Sequence, residues 1–231
     1  MFESTRRDGV VQAHREGARW LSTAWDGGYR EADAAYNVSV PTGFDRTDLD
    51  AYRAERLADA EFPVGPTLLT GVEMRHARLA RSGPVTVLAT AGLSNPAVLP
   101  VAGDGGVEAD AADTQPWRPG TVNLVVGVDR ALDDGGLANL LATAVEAKAA
   151  TLLSAADAPG TTSDAVLVGT DPTAERADFA GSATEVGSAA RACVRDAILA
   201  SLDARYDEGP PAFADAEYGV VTDRQTDVRA P

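Results

Sequence analysis

The sequence predicts an α/β protein of the mixed α+β kind, one domain over residues 1–231, with helices packed on a mixed sheet that starts as an antiparallel meander. Three observations lead there. Residues 85–91 (VTVLATA) and 121–129 are near-continuous apolar runs of strand length, the pattern of interior strands. Residues 137–156 and 184–205 carry long helical periodicities. Finally, the first forty residues alternate short β-compatible runs with glycine-bearing turns.

Taken in order, residues 10–14, 18–25 and 34–40 read as the meander, joined through Arg15-Glu16-Gly17 and Asp26-Gly27-Gly28. Residues 47–60 read as a helix with Thr47 at its N-cap, and 67–80 as a second helix with Leu68, Leu69, Val72 and Leu79 largely on one side. The strand 85–91 ends in Gly92-Leu93-Ser94-Asn95-Pro96. A glycine two residues before a serine resembles half of a nucleophile elbow, but Pro96 stands where that motif needs its second glycine. The Gly/Asp-rich stretch 97–117 reads as a loop and candidate lid. Asp133 and Asp134 suit the N-terminus of the central helix, 165–169 is a buried strand, and Thr184 caps the last helix. Residues 207–231 read as a loosely packed tail, in which 218–222 add an edge strand.

Composition narrows the function. The net charge of −15 argues against nucleic-acid binding, and no run of eighteen apolar residues suggests a membrane span. The start lacks the apolar region of a secretory signal, so a cytoplasmic protein is expected. The 20 basic residues comprise 19 arginines and one lysine. An acidic, lysine-poor surface suits a salt-rich cytoplasm, where the Debye length falls to about 3 Å at 1 M salt. Two distant histidines and one cysteine assemble no zinc pattern, and no phosphate-binding glycine loop occurs, so neither a metal nor a nucleotide cofactor is expected. His76 reads as a packing or solvent residue and Cys193 as a small core residue.

The sole lysine, Lys148, is the anomaly. Helical spacing places it with Leu137, Leu140, Leu141, Ala144, Val145 and Leu152 on the apolar stripe of the central helix. Glu146 lies two residues away and does not face it, so Asp164 is the nearest candidate partner. A buried lysine of this kind is a structural ion pair, a base, or a group that polarises a carbonyl. Around it the element ends gather Ser22, Thr23, Asn37, Thr90, Ser94, Asn95, Thr121, Asn123, Thr143, Thr161, Thr162 and Ser163.

Several stretches together resemble the adenosylcobinamide amidohydrolases: LSTAWDGG (21–28), YNVSV (36–40), LTGVEMRHARLA (69–80), TAGLSNP (90–96), GTVN (120–123), T-x-x-E-A-K (143–148), GTTSDAVLVG (160–169) and AGSATEVG (180–187). The resemblance spans nearly the whole chain. It implies a corrinoid-salvage hydrolase that cleaves the aminopropanol amide of adenosylcobinamide, or of its phosphate, to give adenosylcobyric acid. Glu146, Lys148, Asp164 and Thr143 are the catalytic candidates it suggests, with attack by water or through Ser22, Thr143 or Thr162. Ser22, Thr23, Asn37, Ser94, Asn95, Thr121, Asn123, Thr161, Thr162 and Ser163 are the substrate-binding candidates. No cofactor is implied, since the corrinoid cobalt belongs to the substrate; the partner is that small molecule, and an oligomer is compatible. A corrinoid carrier without hydrolysis is the rival reading.

Overall fold

The interior strands do form, and they organise two sheets. The computed structural model describes residues 1–100, 121–211, 219–222 and 224–230. Its strands are β1 (Glu3–Arg7), β2 (Val10–His14), β3 (Arg19–Ser22), β4 (Gly28–Glu31), β5 (Ala34–Ser39), β6 (Thr67–Thr70), β7 (Arg78–Ser82), β8 (Val85–Ala91), β9 (Ala97–Val98), β10 (Val122–Val128), β11 (Ala165–Thr170) and β12 (Val220–Val221). Its helices are α1 (Leu49–Asp59), α2 (Asp134–Ala156) and α3 (Glu185–Arg205). One sheet runs β4-β3-β11-β10-β8-β7 and a second runs β1-β2-β5-β6.

Period-two alternation sorts the strand residues into layers. Leu124, Val126 and Val128 of β10, with Val87 of β8 and Val166 of β11, pack under Leu140 of α2 and Ile198 of α3. The opposite face, with Leu88, Val125 and Leu167, meets Val11, Ala35 and Leu68 of the second sheet. Val10, Tyr36 and Val38 turn outward beneath Leu57 of α1. The layers are therefore helices, six strands, four strands, helix.

Gly127 and Gly169 face each other across β10 and β11. A Cβ on Gly169 would enter the Trp20 ring, and one on Gly127 the Phe2 ring. The two aromatics meet edge to face with centroids 5.3 Å apart over this bare backbone.

Four local expectations change. The early strands are not one meander: β2 pairs with β5, while β3 joins β11 and β4 in the other sheet, so 15–18 crosses between sheets. Two hairpins form in that region: β3–β4, joined through the expected Asp26-Gly27-Gly28 connection, and β1–β2, turned by Asp8 and Gly9 at φ 47° and 74°, the Asp-Gly pattern of a tight turn. Residues 67–80 form β6, a short 3₁₀ turn at Met74–His76, and β7 instead of a helix. Pro66 precedes it, Gly71 interrupts it, and β-branched Thr67 and Thr70 fit the ladder that β6 makes with β5. Helix α1 is capped at Asp48, without a side-chain bond, because the Asp48 carboxylate is taken by Arg46. In the tail, β12 pairs with β9 and not with either main sheet. The candidate lid beyond Pro100, and Tyr218 of the expected edge strand, lie outside the described residues. The capping expectations at the two long helices hold: Gly136 N–H donates to Asp133 at 2.8 Å, and Gly187 N–H to Thr184 at 3.0 Å.

Candidate active site

Lys148 is buried, as the helical stripe predicts, and its partner is Asp164. The ammonium donates to Asp164 Oδ2, with side chains 9% and 11% exposed. Asp164 stands just before β11, where its carboxylate also accepts from the Val122 amide at 2.7 Å, the Thr161 amide at 3.0 Å and the Thr161 hydroxyl. Four donors use the acceptor sites that one carboxylate offers. Asp164 thus serves as an anchor that ties α2, β10 and the 160–164 loop together.

Gly160 is there because nothing larger fits. A Cβ at that position would stand 2.5 Å from Asp164 Oδ2 and 2.6 Å from Lys148 Nζ. The loop is sewn to the segment after β8 as well: Thr162 N–H donates to the Asn95 carbonyl at 3.0 Å, and Ala97 N–H to the Gly160 carbonyl at 2.9 Å. Asn95 is 5% exposed, and its Oδ1 has no hydrogen-bond partner. A buried acceptor left unpaired costs about 1–3 kcal/mol, which a bound N–H donor would recover.

This braced loop forms one wall of a cleft of about 570 Å³ at one end of the two-sheet sandwich. Thr121, Ser163, Asp164 and Ala165 supply that wall, Thr23, Ala24 and Trp25 a second, and residues 44–47 and Leu49 with Arg53 the rim. Thr121 at the cleft floor shares a short hydroxyl–hydroxyl hydrogen bond with Thr70 of the facing sheet.

The structure separates the remaining sequence candidates. Thr23 lines the cleft, its hydroxyl bonded to the Val166 amide at 2.9 Å. Ser22 is buried beneath it and accepts from the Ala24 amide at 3.2 Å. Asn37, Asn123 and Thr90 are fully buried between the sheets. Asn123 Nδ2 donates to Asn37 Oδ1 at 3.0 Å and to the Leu69 carbonyl at 2.9 Å, Asn37 Nδ2 donates to Thr90 at 2.8 Å, and Ala165 N–H donates to Asn123 Oδ1 at 3.2 Å. These asparagines staple the two sheets together, and neither lines the cleft. Thr143 is likewise buried, donating to the Ala180 carbonyl at 3.2 Å. Glu146 sits on the exposed side of α2, 3.7 Å from Arg191 of α3, and does not join Lys148. Thr162 is exposed and Ser94 half-buried; neither lines the cleft. His76 packs through Nδ1 against the Ala204 carbonyl at 2.7 Å. Cys193 is buried, and burial, with the Asp196 charge adding, pushes its thiol up.

Sequence reasoning missed Trp25, Arg53 and the rim at 44–47 and Leu49. The signal for Trp25 was an aromatic set directly before an Asp-Gly-Gly turn. Nothing local marks the rim, which is assembled by the packing of α1. Among the described residues, no three His, Cys, Asp or Glu side chains are grouped to hold a metal, and no helix is long and apolar enough to cross a membrane.

The fold is an α–β–β–α sandwich with a cleft at one end, and its relatives give its class, an amide-hydrolysing enzyme. The family model for adenosylcobinamide amidohydrolase matches residues 1–210. The adenosylcobinamide amidohydrolase of the archaeal halophile Halobacterium salinarum is 53% identical over 234 residues, covering 100% of both chains. That of Methanosarcina mazei is 26% identical over 196 residues, covering 80% of this chain and 90% of its own. The chain belongs to the adenosylcobinamide amidohydrolase family. Among solved structures, a Burkholderia sp. beta-aminopeptidase aligns at TM-score 0.47 and 13% identity, covering 86% of this chain and 79% of that one. A Pyrococcus horikoshii protein aligns at 0.44 and 12%, covering 87% and 78%.

Proposed function

We propose that this protein hydrolyses the amide joining the aminopropanol arm, free or phosphorylated, to the corrin ring of adenosylcobinamide. The products are adenosylcobyric acid and aminopropanol, or its phosphate, the former re-entering cobalamin synthesis in the cytoplasm. No cofactor is required; the cobalt arrives within the substrate. Family membership supports the substrate. The observation that carries the site is the cleft wall of Thr121, Ser163 and Asp164, braced from behind by Lys148.

Amide hydrolysis needs a nucleophile, an oxyanion stabiliser and a proton for the leaving amine. In this reading the Ser163 Oγ attacks the amide carbon, forming a C–O bond, and its proton passes to the departing nitrogen as the C–N bond breaks. Water then cleaves the ester, restoring Ser163 and giving the carboxylic acid. The Thr121 hydroxyl donates to the oxyanion. Lys148 does not line the cleft; it is a positioning residue that holds Asp164 and hence the Ser163 loop.

The test is product analysis with adenosylcobinamide at molar salt. The expected result is equimolar aminopropanol and adenosylcobyric acid, with Ser163→Ala lowering kcat by about six orders of magnitude. Absence of release from folded protein overturns the function. A wild-type rate in Ser163→Ala overturns the covalent step and assigns the attack to water.

A further inference from the structure

Trp25 is 61% exposed although it is one of the largest apolar side chains in the protein. Its backbone is held firmly. Arg53 of α1, only 15% exposed itself, donates to the Trp25 carbonyl at 3.0 Å and pairs with Asp50. Next in the chain, Asp26 adopts φ 52° and pairs with Arg30 at 2.7 Å. Gly27 packs so closely on the Ser22 and Ala24 carbonyls that no Cβ fits there. The loop is therefore built to hold an indole at the surface.

That indole borders two hollows at once. On one side is the cleft that contains Ser163 and Asp164; on the other is a smaller hollow of about 220 Å³ whose polar wall includes Asp26, Arg30 and Glu31. An exposed, rigidly mounted aromatic beside a hollow is a stacking surface for a flat π system. The carboxylates next to it are acceptors for an exocyclic amine or for ribose hydroxyls.

We infer that Trp25 and the smaller hollow form a nucleoside subsite that reads the adenosyl group of the substrate, while the main cleft receives the amide arm. The inference rests on the proposed substrate. It makes Trp25 a specificity-determining residue: the purine stacks on the indole, and corrinoids lacking it lose that contact. Removing the aromatic partner of a stacked base costs roughly 5- to 150-fold in affinity.

Two measurements test it. The first is the ratio of kcat/KM for adenosylcobinamide to that for aquocobinamide, in wild type, Trp25→Ala and Trp25→Phe. The ratio falls roughly 5- to 150-fold in Trp25→Ala, through KM, and less in Trp25→Phe. The second is independent of turnover: 5′-deoxyadenosine quenches tryptophan fluorescence in wild type and not in Trp25→Phe. An unchanged ratio, or an equal loss for both corrinoids, overturns the purine assignment while leaving hydrolysis intact. If wild type releases no aminopropanol yet 5′-deoxyadenosine still quenches Trp25, the proposed reaction fails and the nucleoside subsite stands. Quenching that persists in Trp25→Phe overturns the subsite.

Discussion

Lys148→Met removes the ammonium from a carboxylate that cannot move away. Breaking a buried pair by deleting one partner costs about 3–5 kcal/mol, because the remaining charge stays buried. Here Asp164 keeps the Val122 amide, the Thr161 amide and the Thr161 hydroxyl. Those three donors compensate much of the charge, so the expected loss is at the low end, about 3 kcal/mol. For a chain of this size each kcal/mol shifts Tm by about 2–4 °C, giving a fall of roughly 6–12 °C. Both side chains are nearly buried, so salt screens the pair only weakly. Thermal unfolding across a salt series should show the same gap between wild type and variant at every concentration, even as both curves move. The double variant Lys148→Met/Asp164→Asn should recover part of the loss, since asparagine carries no charge to orphan and its Oδ1 can still accept from the Val122 amide and the Thr161 hydroxyl. In the folded range kcat should fall with little change in KM, because the loop that carries Ser163 loses its anchor. A stability loss under about 1 kcal/mol, or a gap that vanishes in molar salt, would refute the account of a buried anchor.

Three further outcomes follow from the packing. Burial alone would push Asp171 up, but the Thr173 hydroxyl and amide and the Arg15 guanidinium outweigh it and hold the carboxyl below the usual range. The stability it contributes is therefore present above the unfolded value, about 3.9, and is lost as pH falls through the lower folded value. Asp171→Asn should be less stable at neutral pH and show a shallower acid limb in denaturant titrations. Cys193 should resist a thiol reagent such as dithionitrobenzoate until the protein unfolds, because it is buried and its thiol is pushed up; fast labelling of native protein would contradict this. Gly169→Ala should cost about 1–3 kcal/mol or more and alter the near-ultraviolet circular dichroism, since its methyl group enters the Trp20 ring.

What the sequence exposed and what it hid divide along one line. Features set by a single segment were legible: the interior strands, the capped long helices and the lysine on the apolar stripe, with Asp164 already its nearest candidate partner. Features set by which segments meet were not. Val10–His14 and Arg19–Ser22 read alike locally, and their assignment to different sheets is decided by β5 on one side and β11 on the other. Leu68, Leu69, Val72 and Leu79 match a helical spacing by coincidence, because β-branched threonines and Gly71 make the extended form cheaper once β5 offers a parallel partner. The Asp-Gly turn at Asp8 and Gly9 was readable and marked the hairpin that the meander reading passed over.

The same division explains why a list of polar residues overstated the site. Asn37, Asn123, Thr90 and Thr143 are polar, as binding residues are, but the first three are consumed by bonds that join the two sheets and Thr143 by one that ties α2 to the connection before α3. Buried polar groups that satisfy one another fix the register of the layers, and a ligand could reach them only by breaking that network. Of the candidates, few line the cleft: Thr23, Thr121, Ser163 and Asp164. Asp164 is saturated, Thr23 is tied to β11 and Thr121 to Thr70 of the facing sheet, so the wall these residues share is defined by its bracing. The lone lysine matters because it fixes that wall in place, and Gly160 matters because only a bare backbone lets the ion pair sit there.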